Sequence, residues 1–454
     1  MDIKYLYYKH ETLKEQKITI IGRVRSNRQG KAVSFMVLND GTTLNDLQVV
    51  YKEETEGFDE GTKSRVSSIV EVEGILVPTP SRAQPFEIYA TTITLLDQAI
   101  QDYPLQKKEH SPEFLREISH LRARTKTFQA IFRVRSTAAY AIHKFFQENN
   151  YVYVTTPVIT SNDAEGAGEQ FIVTVNENKD YANDYFGKKA SLTVSGQLNG
   201  EAFAQAFKKI YTFGPTFRAE NSHTTKHASE FWMIEPEVAF ADLNQNIQLM
   251  QDMLKSVISY VLQQNKAELE FLQEQLEPGL IEKITGIVNS KFKINTYEEV
   301  LDILQKAIDN GHKFEENNIH FGLDLGTEHE RFICEQINKC PTFVVNYPKE
   351  IKSFYMKLNE DGKTVAAADL LVPGIGELCG GSERESSLDN ILERCEFFRI
   401  NPEELDWYIG LRKYGFYKSA GFGLGFERLI MYITGAANIR DVIPFPRTPK
   451  TLLY

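Results

Sequence analysis

The period of the apolar pattern changes once along this chain, near residue 100, and that change most constrains what it can fold into. Between residues 17 and 97 the apolar positions alternate over short runs. Ile18, Ile20, Gly22 and Val24 share one parity, and Phe35-Met-Val-Leu38 ends in the turn Asn39-Asp40-Gly41. Leu47-Gln-Val-Val-Tyr51, Ile69-Val-Glu-Val-Glu-Gly-Ile75 and Phe86-Glu-Ile-Tyr89 follow. Five short strands separated by Gly and Asn-Asp-Gly turns predict a small closed barrel, with a small sandwich as the alternative. From 127 to 149 the period becomes helical, with Ile131, Val134, Ala138, Ile142 and Phe145 stepping by three or four until Asn149-Asn150. Tyr151-Val-Tyr-Val-Thr-Thr-Pro157 then reads as extended chain closed by proline.

The remaining divisions follow from texture. Residues 101–126 begin polar, with Pro104, Lys107-Lys108 and Pro112, and read as a linker. Residues 242–330 are rich in Glu and Gln, and Ile247, Met250, Leu254, Val257 and Val261 mark an amphipathic helix. This stretch reads as a mostly helical insertion. Strand-like segments resume at Pro341-Thr-Phe-Val-Val345 and Phe354-Tyr-Met-Lys-Leu358. The expectation is an α+β chain divided as 1–100, 101–126, 127–241, 242–330 and 331–454.

Composition excludes some classes. The N-terminus lacks the basic start and apolar run of a signal peptide, and no apolar run reaches a membrane span of roughly 18–20 residues. Cys334, Cys340, Cys379 and Cys395 form no Cys-x-x-Cys pair, which argues against zinc and for reduced thiols in a cytoplasmic protein. The net charge of −11 argues, as a mean, against a nucleic-acid partner.

Four segments carry chemistry. Phe213-Gly-Pro-Thr-Phe-Arg218-Ala-Glu220, a polar loop through Ser229, and Glu230-Phe-Trp-Met-Ile-Glu-Pro-Glu237 form a hairpin. Arg218 and Glu220 share a parity; they either face a pocket, where Arg218 grips a phosphate bidentately, or form an exposed pair. In Gly421-Phe-Gly-Leu-Gly-Phe-Glu-Arg428 the glycines alternate, which fits neither a dinucleotide fingerprint nor a Walker loop. Alternating glycines in a strand point to close approach by a ligand or to tight strand–helix packing. Asp369 through Glu385 carries Asp369 and Glu377 on a strand–turn–strand path, a pair able to hold Mg²⁺ beside substrate phosphates. Thr193-Val-Ser-Gly-Gln197 is a small-residue turn that presents an amide.

Taken in order, these segments resemble the three motifs of the class II aminoacyl-tRNA synthetases. The helix 127–149 with Tyr151–Pro157 resembles motif 1, Phe217-Arg-Ala-Glu220 through Glu237 motif 2, and Gly423-Leu-Gly-Phe-Glu-Arg428 motif 3. The tail Asn438-Ile-Arg-Asp-Val-Ile-Pro-Phe-Pro-Arg-Thr-Pro449 resembles the aspartyl/asparaginyl/lysyl subgroup, and Ser195–Glu201, Phe213–Ser222, Phe231–Glu237 and Tyr347–Met356 resemble its bacterial asparagine-specific branch. The resemblance implies an N-terminal OB-fold barrel that reads the anticodon and an antiparallel catalytic sheet flanked by helices. It also implies a homodimer through motif 1, and ATP-dependent ligation of L-asparagine to tRNA(Asn) with Mg²⁺. The reaction runs through an asparaginyl-adenylate, with release of pyrophosphate and then AMP. One departure is visible: Lys226 stands in the motif 2 loop where bacterial members usually carry Arg, a point charge in place of a planar fork.

By that resemblance Arg218 meets the α-phosphate and Arg428 the γ-phosphate, Phe231 stacks on adenine, Glu220 accepts from its amino group, and Asp369 and Glu377 hold Mg²⁺. Glu165, Ser195 and Gln197 receive the amino acid. Arg384 donates to its side-chain oxygen, and Glu235 accepts from the amide and repels a carboxylate; a structural salt bridge is the other reading of Glu235. Aspartate-specific relatives place a Lys where Gly200 stands. In the barrel, Phe35 stacks on the central anticodon base unless it belongs to the barrel core, Gln48 bonds that base, and Glu87 reads the first. The alternatives are an aspartyl-tRNA synthetase, one that charges both tRNAs included, an ammonia-dependent asparagine synthetase, and an inactive tRNA-binding paralogue. Gly200, the complete barrel and the full set of charged motif residues argue against them in turn.

Resolved along the chain, the charge changes its meaning. Residues 242–330 hold 7 basic and 16 acidic residues, most of the deficit. Lys17 to Asn39 holds five basic residues and no acidic one, and Arg116 to Arg135 holds six against one. Those two runs are the expected contacts of the tRNA backbone, and the acidic insertion is expected away from phosphate.

Overall fold

The computed structural model describes residues 1–82, 84–162 and 169–454. The chain divides into two compact units, Met1–Ala130 and Ile131–Tyr454. Among the described residues no helix is long and apolar enough to cross a membrane.

The first unit is built on a closed five-stranded barrel. Strands Lys17–Arg28, Ser34–Asn39, Leu47–Tyr51, Phe86–Asp97 and Ile69–Pro78 pair in that order around it. The expected parity holds: Ile18, Ile20, Val24, Met36, Leu38, Val49, Val70, Val72 and Ile88 fill the interior. Each such side chain contributes about 1.5–3 kcal/mol by leaving water. Closure requires a bulge at Glu73/Gly74, where any Cβ on Gly74 would overlap the Tyr89 carbonyl. An N-terminal helix, Ile3–Leu13, carries Ile3 and Leu6 into the same core. It has two buried anchors in three turns, too few for the sequence pattern to reveal it.

The second unit is an eight-stranded sheet. Its order is Lys293–Thr296, Thr342–Pro348, Thr364–Val372, Gly376–Glu383, Ser419–Gly425, Glu230–Ala239, Lys209–Phe217 and Val152–Tyr153. Only the two outer pairings are parallel. The helix Lys126–Glu148 buries Ile131, Val134, Ala138 and Ile142 as expected, but its last anchor is Phe146 rather than Phe145. Phe146 stacks on Tyr211 with centroids 4.6 Å apart. Asn150, at φ 62°, turns the chain out of the helix.

One expectation needs correction. Segment 354–358 makes only isolated bridges, at Met356 and Leu358, and Phe354 and Tyr355 pack into a cluster with Val194, Leu198 and Tyr408. Segment 242–330 is mostly helical and packs against the sheet. Its first helix, Leu243–Gln264, is capped by a reciprocal Asp242/Gln245 box and packs on three central strands. Asn246 Nδ2 donates to the Gly421 carbonyl at 2.8 Å, and strand Lys293–Thr296 forms one edge of the sheet.

Candidate active site

One cavity of about 170 Å³ collects most of the charged motif residues. Its lining includes Arg218, Glu220, Lys226, Phe231, Glu377 and Arg428. The hairpin is as expected: Lys209–Phe217 pairs with Glu230–Ala239, Phe217 opposite Glu230. Arg218 N donates to the Ser229 carbonyl at 3.0 Å, and the guanidinium lies 5.4 Å from the centre of the Phe231 ring. Arg428 occupies the first turn of helix Phe426–Thr434, with Nη1 3.7 Å from Glu377 Oε2. Lys226 spans the cavity edge and donates from Nζ to the Ile375 carbonyl at 2.7 Å. Burial and the nearby Arg428 hold its ammonium below its ordinary pKa.

Of the alternating glycines, Gly423 and Gly425 line the cavity. Gly421 makes room for the neighbouring strand, since a Cβ there would overlap the Glu237 carboxylate.

Asp369 and Glu377 face one small space. A Cβ added at Gly380 would lie 2.8 Å from Asp369 Oδ1 and 3.3 Å from Glu377 Oε1. Hard carboxylate oxygens open to solvent on one side suit Mg²⁺, which keeps several ligands for water and phosphate, so the residues fit the ion. Two neighbours were not anticipated. Lys352 Nζ pairs with Asp369 Oδ2. Glu330 Oε2 accepts from the Glu377 amide at 2.9 Å, and burial, with Glu377 and Asp369 adding, pushes its carboxyl up to about 7. Glu330 lies at the end of the acidic insertion and contacts Glu377, which lines the cavity; no local pattern marks it.

Beyond the cavity the strand Glu230–Ala239 continues inward. Phe231, Met233, Glu235 and Glu237 share its face by alternation, the first two lining the cavity and the last two buried. Glu235 accepts from Ser195 Oγ, from the Gly196 amide at 3.0 Å and from Thr212 Oγ1 at 2.9 Å. Burial raises its carboxyl, and those three donors oppose the rise. Among the described residues Glu235 makes no salt bridge; neutral donors satisfy it. Arg384, 2% exposed, engages Glu237 through Nε and Nη2 and donates from Nη1 to Ser382 Oγ at 2.8 Å. Gln197 Nε2 is buried without a hydrogen-bond partner among the described residues. Glu165 lies outside the described residues. Glu237, the partner of Arg384, was missed; its parity with Glu235 was the available signal. His329 is buried, with Nε2 hydrogen-bonded to the Glu316 carbonyl at 2.9 Å.

On the barrel, Phe35 stands outside the core, which takes its neighbours Met36 and Leu38, and Arg28 lies 5.3 Å from its ring centre. Gln48 Nε2 donates to Glu87 Oε1 at 2.7 Å. Glu87 is fully buried, and the same oxygen accepts from Arg82 and Gln84. Within this unit the two basic runs meet in a groove lined by Arg23, Arg25 and Arg124.

A closed barrel followed by an antiparallel sheet with such a cavity matches two family models. Residues 111–449 match the class II tRNA synthetases (D, K and N), and residues 18–96 match the OB-fold nucleic acid binding domain. The chain belongs to this class II synthetase family. It is 88% identical to the asparagine–tRNA ligase of Mesoplasma florum over the full length of both chains. It is 53% identical to that of Clostridium tetani, covering 99% of this chain and 98% of the relative. Among solved structures, asparaginyl-tRNA synthetase from Pyrococcus horikoshii complexed with asparaginyl-adenylate superposes with a TM-score of 0.87, at 30% identity over 97% of each chain.

Proposed function

We propose that this enzyme ligates L-asparagine to tRNA(Asn) in two steps. The asparagine carboxylate attacks the α-phosphorus of ATP, forming asparaginyl-adenylate and pyrophosphate. The terminal adenosine hydroxyl of the tRNA then attacks the acyl carbon and expels AMP. The carrying observation is the single strand face that runs from Phe231 and Met233 in the cavity to Glu235 and Glu237 beside Arg384. It joins a nucleotide site to a buried, charged side-chain site.

The first step needs no strong base, because the nucleophile is already ionised; positioning and charge neutralisation carry it. Arg218 and Arg428 neutralise phosphate, and Phe231 and Glu220 receive adenine. Asp369 and Glu377 would hold Mg²⁺, which supplies further neutralisation of the phosphate charge. Glu165, Ser195 and Gln197 orient the amino acid, the unpartnered Gln197 amide supporting that role. Arg384 donates to the side-chain oxygen. Glu235 favours an amide over a carboxylate, since an unpaired carboxylate beside it in a dry site is strongly disfavoured.

The same reading gives residues 1–100 the anticodon, with 127–241 and 331–454 carrying the chemistry. Half-buried Phe35, outside the barrel core, stacks on the central base and Gln48 bonds it. Glu87, being buried, reaches a base through Gln48 and Arg82. Arg23, Arg25 and Arg124 meet the tRNA backbone. The protein works in the cytoplasm as a homodimer through motif 1, a reading supported by the exposure of Tyr140, Val152 and Tyr153. Charging of tRNA(Asn) transcript with labelled asparagine and ATP tests the proposal. Asparaginyl-tRNA should accumulate, and its absence with folded enzyme overturns the reading.

A further inference from the structure

Three charged side chains hold one short turn. The turn, residues 373–375, joins strands Thr364–Val372 and Gly376–Glu383, and Glu377 lies two residues past it. Glu335 Oε1 accepts from the Gly374 amide at 2.7 Å, and Glu330 Oε2 accepts from the Glu377 amide at 2.9 Å. A Cβ on Gly376, at φ 86°, would lie 2.5 Å from that same Glu330 oxygen, so the carboxylate is seated against the backbone. The third side chain is Lys226, whose Nζ donates to the Ile375 carbonyl at 2.7 Å.

Lys226 takes no part in the scheme above. It belongs to the polar loop 221–229, whose Ser222, His227 and Ala228 also line the cavity. Elsewhere this loop is tied to the C-terminal segment: the Ile439 amide donates to the Thr225 carbonyl and the Ser229 amide to the Arg447 carbonyl, both at 2.8 Å. Neither tie reaches the strands that carry Asp369 and Glu377; Lys226 does. A hydrogen bond from an ammonium is about twice as strong as a neutral one. An ammonium also carries three donors and the carbonyl takes one, so a phosphate in the cavity can share the others without breaking the tie. We infer that Lys226 is a latch: its bond to the Ile375 carbonyl couples the closed position of loop 221–229 to the placement of Glu377, so that the nucleotide site and the Mg²⁺ site form together. Lys226 is in this sense a positioning residue.

The test is amide hydrogen exchange on the full chain without nucleotide, read by mass spectrometry. Lys226→Met removes the donor and keeps most of the stem. Amide exchange should rise about tenfold in two segments at once, 221–229 and 373–377, with helix Leu243–Gln264 at the parent rate. In pyrophosphate exchange the same variant should raise KM for ATP about tenfold and leave KM for asparagine at the parent value. A lysine that only meets phosphate leaves amide exchange of the empty enzyme unmoved, and that result overturns the inference. Faster amide exchange in 221–229 alone overturns it as well. If Lys226→Met does not fold, Glu335→Ala tests the coupling from the turn. It frees the Gly374 amide, and loop 221–229 should then exchange faster through Lys226; a parental rate in that loop overturns the coupling. The kinetic consequence rests on the ATP reading above, whereas the amide measurement uses no ATP. Failure of the parent to exchange pyrophosphate therefore defeats that reading, and the amide rates decide the latch.

Discussion

Arg384 and Glu237 carry the chemistry that a sequence shows least well. Both are wholly enclosed, and each is tolerable only because the other neutralises it. Arg384→Lys keeps the charge and loses the fork, so kcat/KM for asparagine should fall about 100-fold, measured by pyrophosphate exchange, while the circular-dichroism spectrum stays that of the parent. Glu330 gives a pH signature. Its folded carboxyl sits near 7 against an ordinary value of 4.5, so the folded chain keeps this proton longer than the unfolded one. Stability contributed here is therefore present at low pH and lost as pH rises from the ordinary carboxyl range through about 7. Denaturant unfolding of Glu330→Gln should show a smaller loss between pH 5 and pH 8 than the parent. An equal loss would remove Glu330 as its source. Residues named by motif, such as Arg218 and Arg428, were legible in the sequence. Glu330 was not, because it reaches the carboxylate pair from a segment with no local pattern, and Lys352 was not singled out although its segment, Tyr347–Met356, carries the resemblance.

At the scale of elements, periodicity carried most of the reading. The barrel strands and the helix Leu243–Gln264 follow directly from alternation and from three-to-four spacing. It failed at Phe354-Tyr355, which pack into an apolar cluster outside the sheet ladder, and where anchors are few, as in helix Ile3–Leu13. Strand Ser419–Gly425 shows why glycines matter more than their count. Gly421→Ala would drive a methyl into the Glu237 carboxylate and displace the Arg384 fork. The expected result is a stability loss of about 3 kcal/mol with near-complete loss of asparagine activation; thermal melts and exchange assays together check it. Gly214 has nothing within 4 Å of an added Cβ, so Gly214→Ala serves as the mild comparison.

At the scale of the molecule, the proposed function assigns anticodon reading to the barrel and amino-acid activation to the sheet unit, and the chain does divide into two compact units. Phe35 lies outside the barrel core, so Phe35→Ala should leave pyrophosphate exchange at the parent rate and lower tRNA charging about 10-fold or more, the worth of one lost stack. Equal loss in both assays would mean that the change damages folding. The overall charge of −11 illustrates what sequence averages hide. The deficit gathers in 242–330, yet that segment supplies a sheet strand, a helix packed on the sheet and Glu330 beside Glu377. Charge alone set it apart, whereas packing makes it part of the catalytic unit. The measurement that most directly tests the whole account is pyrophosphate exchange with asparagine and aspartate in parallel, on the unmodified chain with ATP and Mg²⁺. Rapid exchange with asparagine and little with aspartate is the result the account requires. Exchange with aspartate equal to or faster than with asparagine would contradict it.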